Sequence, residues 1–282
     1  MKNLIRLIPF LVLLLLTCSV SAKKYNLEYH FKPGQYALYH LDMKQNNTYI
    51  FQGIGEKNRI HLTFDLHVEV ADKTKEGNII LNISIPMMVC EFFSGEQSIS
   101  RINTRENTKE AGMLRRMINQ DIVVEISTKG KVSVKKGLGS FIQEMDISNS
   151  MKGILLHTFS KQGFTELAHY LFPEYSDIKL QANDSWQTAS RHFGSKNQKI
   201  TSNYVLTEVG NVLKVKSADY IENQKTTLNL SGSEFKLNLM GSSDSSIEID
   251  SENGWLKTNK VEIKQISEDK SVELITNLKI SQ

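Results

Sequence analysis

His61-Leu62-Thr63-Phe64-Asp65-Leu66-His67-Val68-Glu69-Val70 is the stretch whose reading decides the fold. Its apolar residues fall on every second position. Leu62, Phe64, Leu66, Val68 and Val70 therefore share one face of an extended chain, and the polar residues share the other. A strand with one dry face and one wet face belongs in an antiparallel sheet packed on one side. A polar turn, Lys73 to Gly77, comes next, and Ile79, Leu81, Ile83 and Ile85 then repeat the alternation. Two such strands around a polar turn read as a β-hairpin.

The same pattern extends in both directions. After a turn at Pro33-Gly34, Ala37, Tyr39 and Leu41 share one strand face, with Tyr36, Leu38 and His40 on the other. Ile122 to Ser127 and Lys131 to Val134 flank Thr128-Lys129-Gly130, where glycine permits the positive φ of a tight turn. Asn107 to Asn119 predicts a short helix, with Glu106 and Glu110 at its start and Arg115 and Arg116 near its end, as the helix dipole prefers.

From Leu138 to Phe172 the period changes. Leu138, Phe141, Ile142 and Met145, then Met151, Ile154, Leu155 and Phe159, then Phe164, Leu167, Ala168 and Leu171 recur at helical spacing. They predict two or three short helices, with Ser140 and Ser150 as caps and Pro173 as the stop. From Trp186 onward short strands return, and Ser242 to Ser246 reads as a small polar loop between two of them. The expected fold is mainly β: two antiparallel units, residues 23–136 and 176–282, forming a curved sheet or half-barrel, with the helical segment 137–175 packed on it as part of one compact domain. The two units echo each other weakly. Pro33-Gly34-Gln35-Tyr36 resembles Asn183-Asp184-Ser185-Trp186, and Glu125-Ile126-Ser127 with Gly130 resembles Glu248-Ile249-Asp250 with Gly254.

The first 22 residues read as a secretory signal peptide. Lys2 and Arg6 supply a positive start, Leu7 to Leu16 an uncharged run of ten residues, and Ser19-Val20-Ser21-Ala22 small residues before Lys23-Lys24. Ten residues fall short of the roughly 20 that span a membrane, so cleavage after Ala22 is favoured over a retained anchor. Leu15-Leu16-Thr17-Cys18 partly resembles a lipobox, which offers lipidation at Cys18 as the alternative. The expected location is the periplasm or the exterior, or the outer membrane for a lipoprotein, and membrane contact is expected only if Cys18 is lipidated. Loss of Lys2 and Arg6 takes the net charge from +3 to +1, a balance that argues against a nucleic-acid partner. Cys90 is then the lone cysteine, so no internal disulfide is available.

Three segments carry a family resemblance: Leu27-Glu28-Tyr29-His30-Phe31-Lys32-Pro33-Gly34-Gln35-Tyr36; Leu171-Phe172-Pro173 with Asn183-Asp184-Ser185-Trp186; and Ile247-Glu248-Ile249-Asp250 with Asn253-Gly254-Trp255-Leu256. Together they resemble an uncharacterised group of bacterial envelope proteins, family 6263 among the domains of unknown function. That resemblance implies an exported β-rich protein and supplies no catalytic residues. It also implies a glycine where Asn183 stands. More loosely, many antiparallel strands with a few helices on one face are similar to the lipoprotein-carrier half-barrels of bacterial envelopes.

Templates for catalysis find little. There is no Gly-x-Ser-x-Gly, no His-Glu-x-x-His and no phosphate loop, and no cofactor or metal is implied. Cys90, in an apolar stretch, reads as a buried thiol. His61 and His67 share a strand face but sit about 20 Å apart. Glu248, Asp250 and nearby Asp244 read as a solvated strand face, and Lys129, Lys131, Lys135 and Lys136 as a solvated basic hairpin. The wide apolar stripe instead points to a hydrophobic or lipid-like ligand held between sheet and helices, with Phe141, Met145, Met151, Leu155, Phe159, Trp186 and Trp255 as its lining. The same residues serve equally well in a closed core, where Trp186 and Trp255 would plug the ends of the sheet units. Two alternatives follow: a structural or interaction module that docks an envelope partner, and a hydrolase with an unrecognised site.

Overall fold

The computed structural model describes residues 24–51, 54–118, 120–188, 191–193, 198–230 and 233–282. The expected signal peptide and Cys18 lie outside the described residues. None of the described helices is long and apolar enough to cross a membrane.

The first strands are β1 (Tyr36–Phe51), β2 (Ile54–Lys73), β3 (Ile79–Ser94) and β4 (Gln97–Asn103), followed by helix α1 (Lys109–Ile118). Strands β5 (Ile122–Ile126) and β6 (Val132–Lys136) precede helices α2 (Gly139–Gln143), α3 (Asn149–Phe159) and α4 (Lys161–Leu171). The C-terminal strands are β7 (Ser185–Gln187), β8 (Arg191–Phe193), β9 (Gln198–Glu208), β10 (Val212–Leu230), β11 (Ser233–Asp250), β12 (Leu256–Ser267) and β13 (Val272–Ser281). All of these strands join one open antiparallel sheet, in the order β6-β5-β3-β2-β1-β13-β12-β11-β10-β9-β7, with β4 also on β3 and β8 also on β9. Strands β1 to β6 form one half of this sheet and β7 to β13 the other. They meet where β1 pairs with β13, Leu41 opposite Ile280 and Tyr49 opposite Val272.

The alternation that opened the sequence reading sets the inner face. Leu62, Phe64, Leu66, Val68 and Val70 of β2 and Ile79, Leu81, Ile83 and Ile85 of β3 have no exposed surface. Pro86 follows them at a register shift. It falls between the part of β3 that pairs with β5 and the part that pairs with β4, where a residue without an N–H costs the ladder least.

Two expectations are corrected. Ser242 to Ser246 is not a loop but the middle of β11, paired with β10 on one side and β12 on the other. Its side chains are small and polar, so no apolar alternation marks it. Ladder bonds on both sides hold it, and inward-facing Ser243 donates its hydroxyl to buried Asp219 at 2.6 Å. The helix caps also differ from Ser140 and Ser150. Ser148 Oγ accepts from Met151 N at the start of α3, and Ser160 Oγ accepts from Gly163 N at the start of α4. Ser160 closes α3 and opens α4, a joint too tight for the apolar spacing to reveal.

Asn183 has φ +73°. Asparagine is the non-glycine residue that best tolerates this left-handed region, which explains its place in a glycine position. The echoing turns also meet in space. Gly130 (φ +88°) and Gly254 (φ +87°) both press on the Tyr29 ring, and a Cβ on Gly130 would lie 2.4 Å from the Pro173 carbonyl oxygen. Tyr29 N donates to Thr128 O at 2.8 Å, His30 N to Asn253 O at 3.0 Å, and the Tyr29 hydroxyl to Pro173 O at 2.9 Å. The segment before β1 thus ties both halves of the sheet to the end of the helical segment.

Candidate functional site

The helices lie on the inner face and close it over much of its area. Phe159 of α3 meets Phe64 of β2 edge to face, with ring centroids 5.1 Å apart. Leu155, Phe164 and Leu171 have no exposed surface. Asn259 of β12 donates its side-chain amide to Tyr170 O of α4 at 2.9 Å, which satisfies a backbone acceptor near the end of that helix.

Closure fails at one end. Between α1 and α3 on one side and β1 to β4 on the other, a cavity of about 910 Å³ opens to solvent. Ile60 of β2, Phe92 of β3 and Ile102 of β4 form its sheet wall, and Met113 of α1 with Ile147, Met151 and Ile154 its helical wall. Ile99, 63 % exposed, extends the apolar surface to the lip. Polar groups share the lining: Asn47, Asn58, Ser94, Ser100 and Ser148, with the charges of Glu56, Arg59, Lys109, Glu110 and Asp146. Lys109 of α1 reaches Asp146 of the α2–α3 connection at 3.9 Å, but both are well exposed, so this pair ties the two weakly. The size, and apolar walls bordered by polar and charged groups, are those of small-molecule sites.

Of the seven residues read as groove-lining, Met151 stands on the cavity wall; the other six do not. Met145, Leu155 and Phe159 are buried, and Phe141 lies half-buried under the Arg116 guanidinium, 5.5 Å from its ring centroid. Trp255 stacks on Phe31 with centroids 3.8 Å apart. Trp186 stacks on Tyr204 at 5.1 Å and donates its indole N–H to Glu174 O at 2.9 Å. Both tryptophans are packed, not on a rim. The wall residues missed by sequence reasoning are Ile60, Phe92, Ile102, Met113 and Ile147. Met113 and Ile118 are the large apolar residues of α1 left half-buried beside buried Leu114 and Met117, and of the two Met113 lines the cavity.

Several titratable candidates of the outer sheet face are tied up locally. His61 Nε2 lies 2.7 Å from Asp42 Oδ1, and His61 Nδ1 lies 3.3 Å from Glu91 Oε2. His40 pairs with Asp65 at 2.7 Å, and His67 rests against the Tyr36 ring. Asp250 accepts from the backbone N–H groups of Glu252 and Asn253 and thereby shapes the turn into β12. Lys129 of the basic hairpin donates to Asn26 Oδ1 and Leu27 O and pairs with Glu28 at 3.3 Å. Among the described residues no group of three His, Cys, Asp or Glu side chains could hold a metal. Burial, and secondarily the Glu91 charge, push the Cys90 thiol up to about 12, so it stays protonated.

Comparison with known proteins places this geometry. The sequence model of a family described as "Family of unknown function (DUF6263)" matches residues 76–256. No curated protein matches. Among solved structures, one described as "Lipid-protein interactions in lipovitellin" shares the fold at a TM-score of 0.53 and 13 % identity, covering 89 % of this chain. The chain spans 25 % of the lipovitellin chain it matches. A DUF1329 family protein from Desulfovibrio piger aligns over 86 % of this chain and 85 % of its own at 7 % identity, with a TM-score of 0.18, which carries no argument.

Proposed function

Since the chain belongs to DUF6263, a family of unknown function, we propose that it is a non-enzymatic binding protein of the cell envelope that takes a hydrophobic, lipid-like ligand between its sheet and helices. The observation that carries this reading is the cavity of about 910 Å³ walled by Ile60, Phe92, Ile102, Met113, Ile147, Met151 and Ile154. The facing apolar walls of sheet and helices offer area for a hydrophobic chain, and the polar and charged residues beside them suit a ligand with a polar end. Met113 and Met151 have unbranched, adaptable side chains that fit chains of differing shape. The lipovitellin structure that shares the fold concerns lipid–protein interactions in that protein; at 13 % identity it supports the architecture, while the ligand class rests on the lining. Export rests on the first 22 residues, with Lys23 as the mature start or Cys18 as a lipid attachment point.

The closed packing around Leu155, Phe159 and Phe164 favours a second reading, an interaction module whose helices serve only as core. An acyl-chain probe with environment-sensitive fluorescence separates the two. The binding reading expects saturable uptake by the purified protein. It also expects Ile154→Lys and Met113→Lys to weaken uptake about tenfold or more, roughly 1.4 kcal/mol per decade. Ile178→Lys, at an exposed position off the cavity, should change nothing. Absence of uptake, or equal uptake by all three variants, would favour the interaction module.

A further inference from the structure

The sheet carries a second concavity on the face opposite the helices. It holds about 730 Å³ and runs across β1, β13, β12, β11, β10 and β9. Its walls are two neighbouring rows of cross-strand partners. One row reads Asp42, Lys279, Lys260, Ser246, Lys216. The other, two residues along each strand, reads Lys44, Asn277, Glu262, Asp244, Ala218. Between them the backbone of Ser217, Ser245, Val261 and Leu278 forms the floor.

Like charges oppose each other within each row. Lys260 faces Lys279 directly, and Glu262 faces Asp244. Such pairs are unfavourable on a sheet face. At the β1 end Asp42 and Lys44 satisfy each other at 3.6 Å. The rows on either side are likewise neutralised: Lys264 pairs with Glu273 at 2.9 Å and Lys214 with Glu208 at 2.7 Å. Lys216, Lys260, Lys279, Glu262 and Asp244 are exposed and make no ion pair among the described residues. The trough therefore holds a basic row and an acidic row about 7 Å apart, both with charge to spare.

A simple anion would meet the carboxylates, and a simple cation the lysines. A group that carries both charges satisfies both rows. We propose that the trough binds a phosphoethanolamine-type group. Its phosphate would lie over Ser246 between Lys216 and Lys260, and its primary ammonium against Glu262 and Asp244. Several lysine ammonium groups around one site match the several oxygens of a phosphate, and the small Ser246 side chain leaves room above the floor. The group could arrive as the soluble molecule or as the headgroup of a phospholipid, which share this chemistry. The site is separate from the apolar cavity, and its test has a separate readout.

Titration of the full mature protein with O-phosphoethanolamine, followed by calorimetry, tests the assignment. Binding is expected to be at least tenfold tighter than for inorganic phosphate or ethanolamine alone. Lys260→Gln and Glu262→Gln should each weaken it about tenfold, while Lys264→Gln, whose ion pair lies outside the trough, should leave it unchanged. Circular dichroism of these surface variants checks that each is folded. Vesicle flotation locates the source: retention by phosphatidylethanolamine–phosphatidylglycerol vesicles but not by phosphatidylglycerol alone supports a lipid headgroup, and binding of the free compound without retention supports a soluble one. Absence of binding, equal binding of inorganic phosphate, or indifference to Glu262→Gln would overturn the proposal.

Discussion

Replacing Gly163 with alanine is expected to destabilise the protein by about 4 kcal/mol or more, beyond the ordinary range for one substitution. A Cβ at this position would lie 1.7 Å from the His157 carbonyl oxygen, 2.5 Å from its carbon and 3.1 Å from Thr158 N. All three are backbone atoms of the last turns of α3, so no rotamer change clears them. α4 would have to move off α3, breaking the cap from Gly163 N to Ser160 Oγ at 3.1 Å. Phe164, Ala168 and Leu171 would be dragged from the core, where they have no exposed surface. Gly153 supplies the control. It lies within α3, and a Cβ there would meet nothing within 4 Å, so Gly153→Ala should stabilise by about 0.5–1 kcal/mol through helix propensity. Urea denaturation of the two variants should shift in opposite directions. A Gly163→Ala midpoint equal to that of the wild type would contradict the close approach of the two helices.

Stability should fall steeply as the pH rises past about 9. Burial raises the Cys90 thiol to about 12 and raises the hydroxyls of Tyr29, Tyr39 and Tyr175, whose side chains are enclosed by the core. Tyr29 and Tyr175 stack with centroids 4.7 Å apart, which keeps both hydroxyls away from water. In the unfolded chain a cysteine ionises near 8.5 and a tyrosine near 10. Above those values the unfolded state releases protons that the folded state keeps, so unfolding is favoured as pH rises. The contribution from Cys90 is fully present below about pH 8.5 and declines up to about 12; the tyrosines add to the loss from about 10. Each group costs roughly 1.4 kcal/mol per pH unit once its unfolded form has ionised. Urea midpoints between pH 8 and 11 should show the decline, and Cys90→Ala should flatten its first part. A midpoint constant to pH 11 would contradict the enclosure of these groups.

The sequence revealed the fold where side-chain period and burial coincide. Leu62 to Val70 and Ile79 to Ile85 marked the inner face, Gly130 the tight turn, and the stripe from Leu138 to Leu171 the helices on the sheet. It was silent where the backbone ladder alone holds a strand, as through Ser242 to Ser246, and where one serine serves two helices, as Ser160 does. The site was less legible for a physical reason. A groove and a closed core demand the same residue types, so the stripe could not say which of its members would be covered. Phe159, packed on Phe64, and Leu155 are enclosed in the core, while Met151, one turn earlier and also buried, backs the cavity wall. Ile147 stands alone in a short connection, and Phe92 lies where strand alternation has lapsed, so neither carried a pattern. The charged trough was likewise hidden, because its opposed lysines and opposed carboxylates come from different strands and meet only in the folded register.

The most direct test of the central claim is photo-crosslinking of the purified protein with a diazirine-bearing fatty acid, mapped by peptide mass spectrometry. Adducts concentrated on the peptides that carry Phe92, Met113, Ile147, Met151 and Ile154, and suppressed by an excess of unlabelled fatty acid, are the predicted result. Adducts spread over exposed surfaces such as Ile178 and Tyr220, or unaffected by competitor, would contradict a ligand site between sheet and helices.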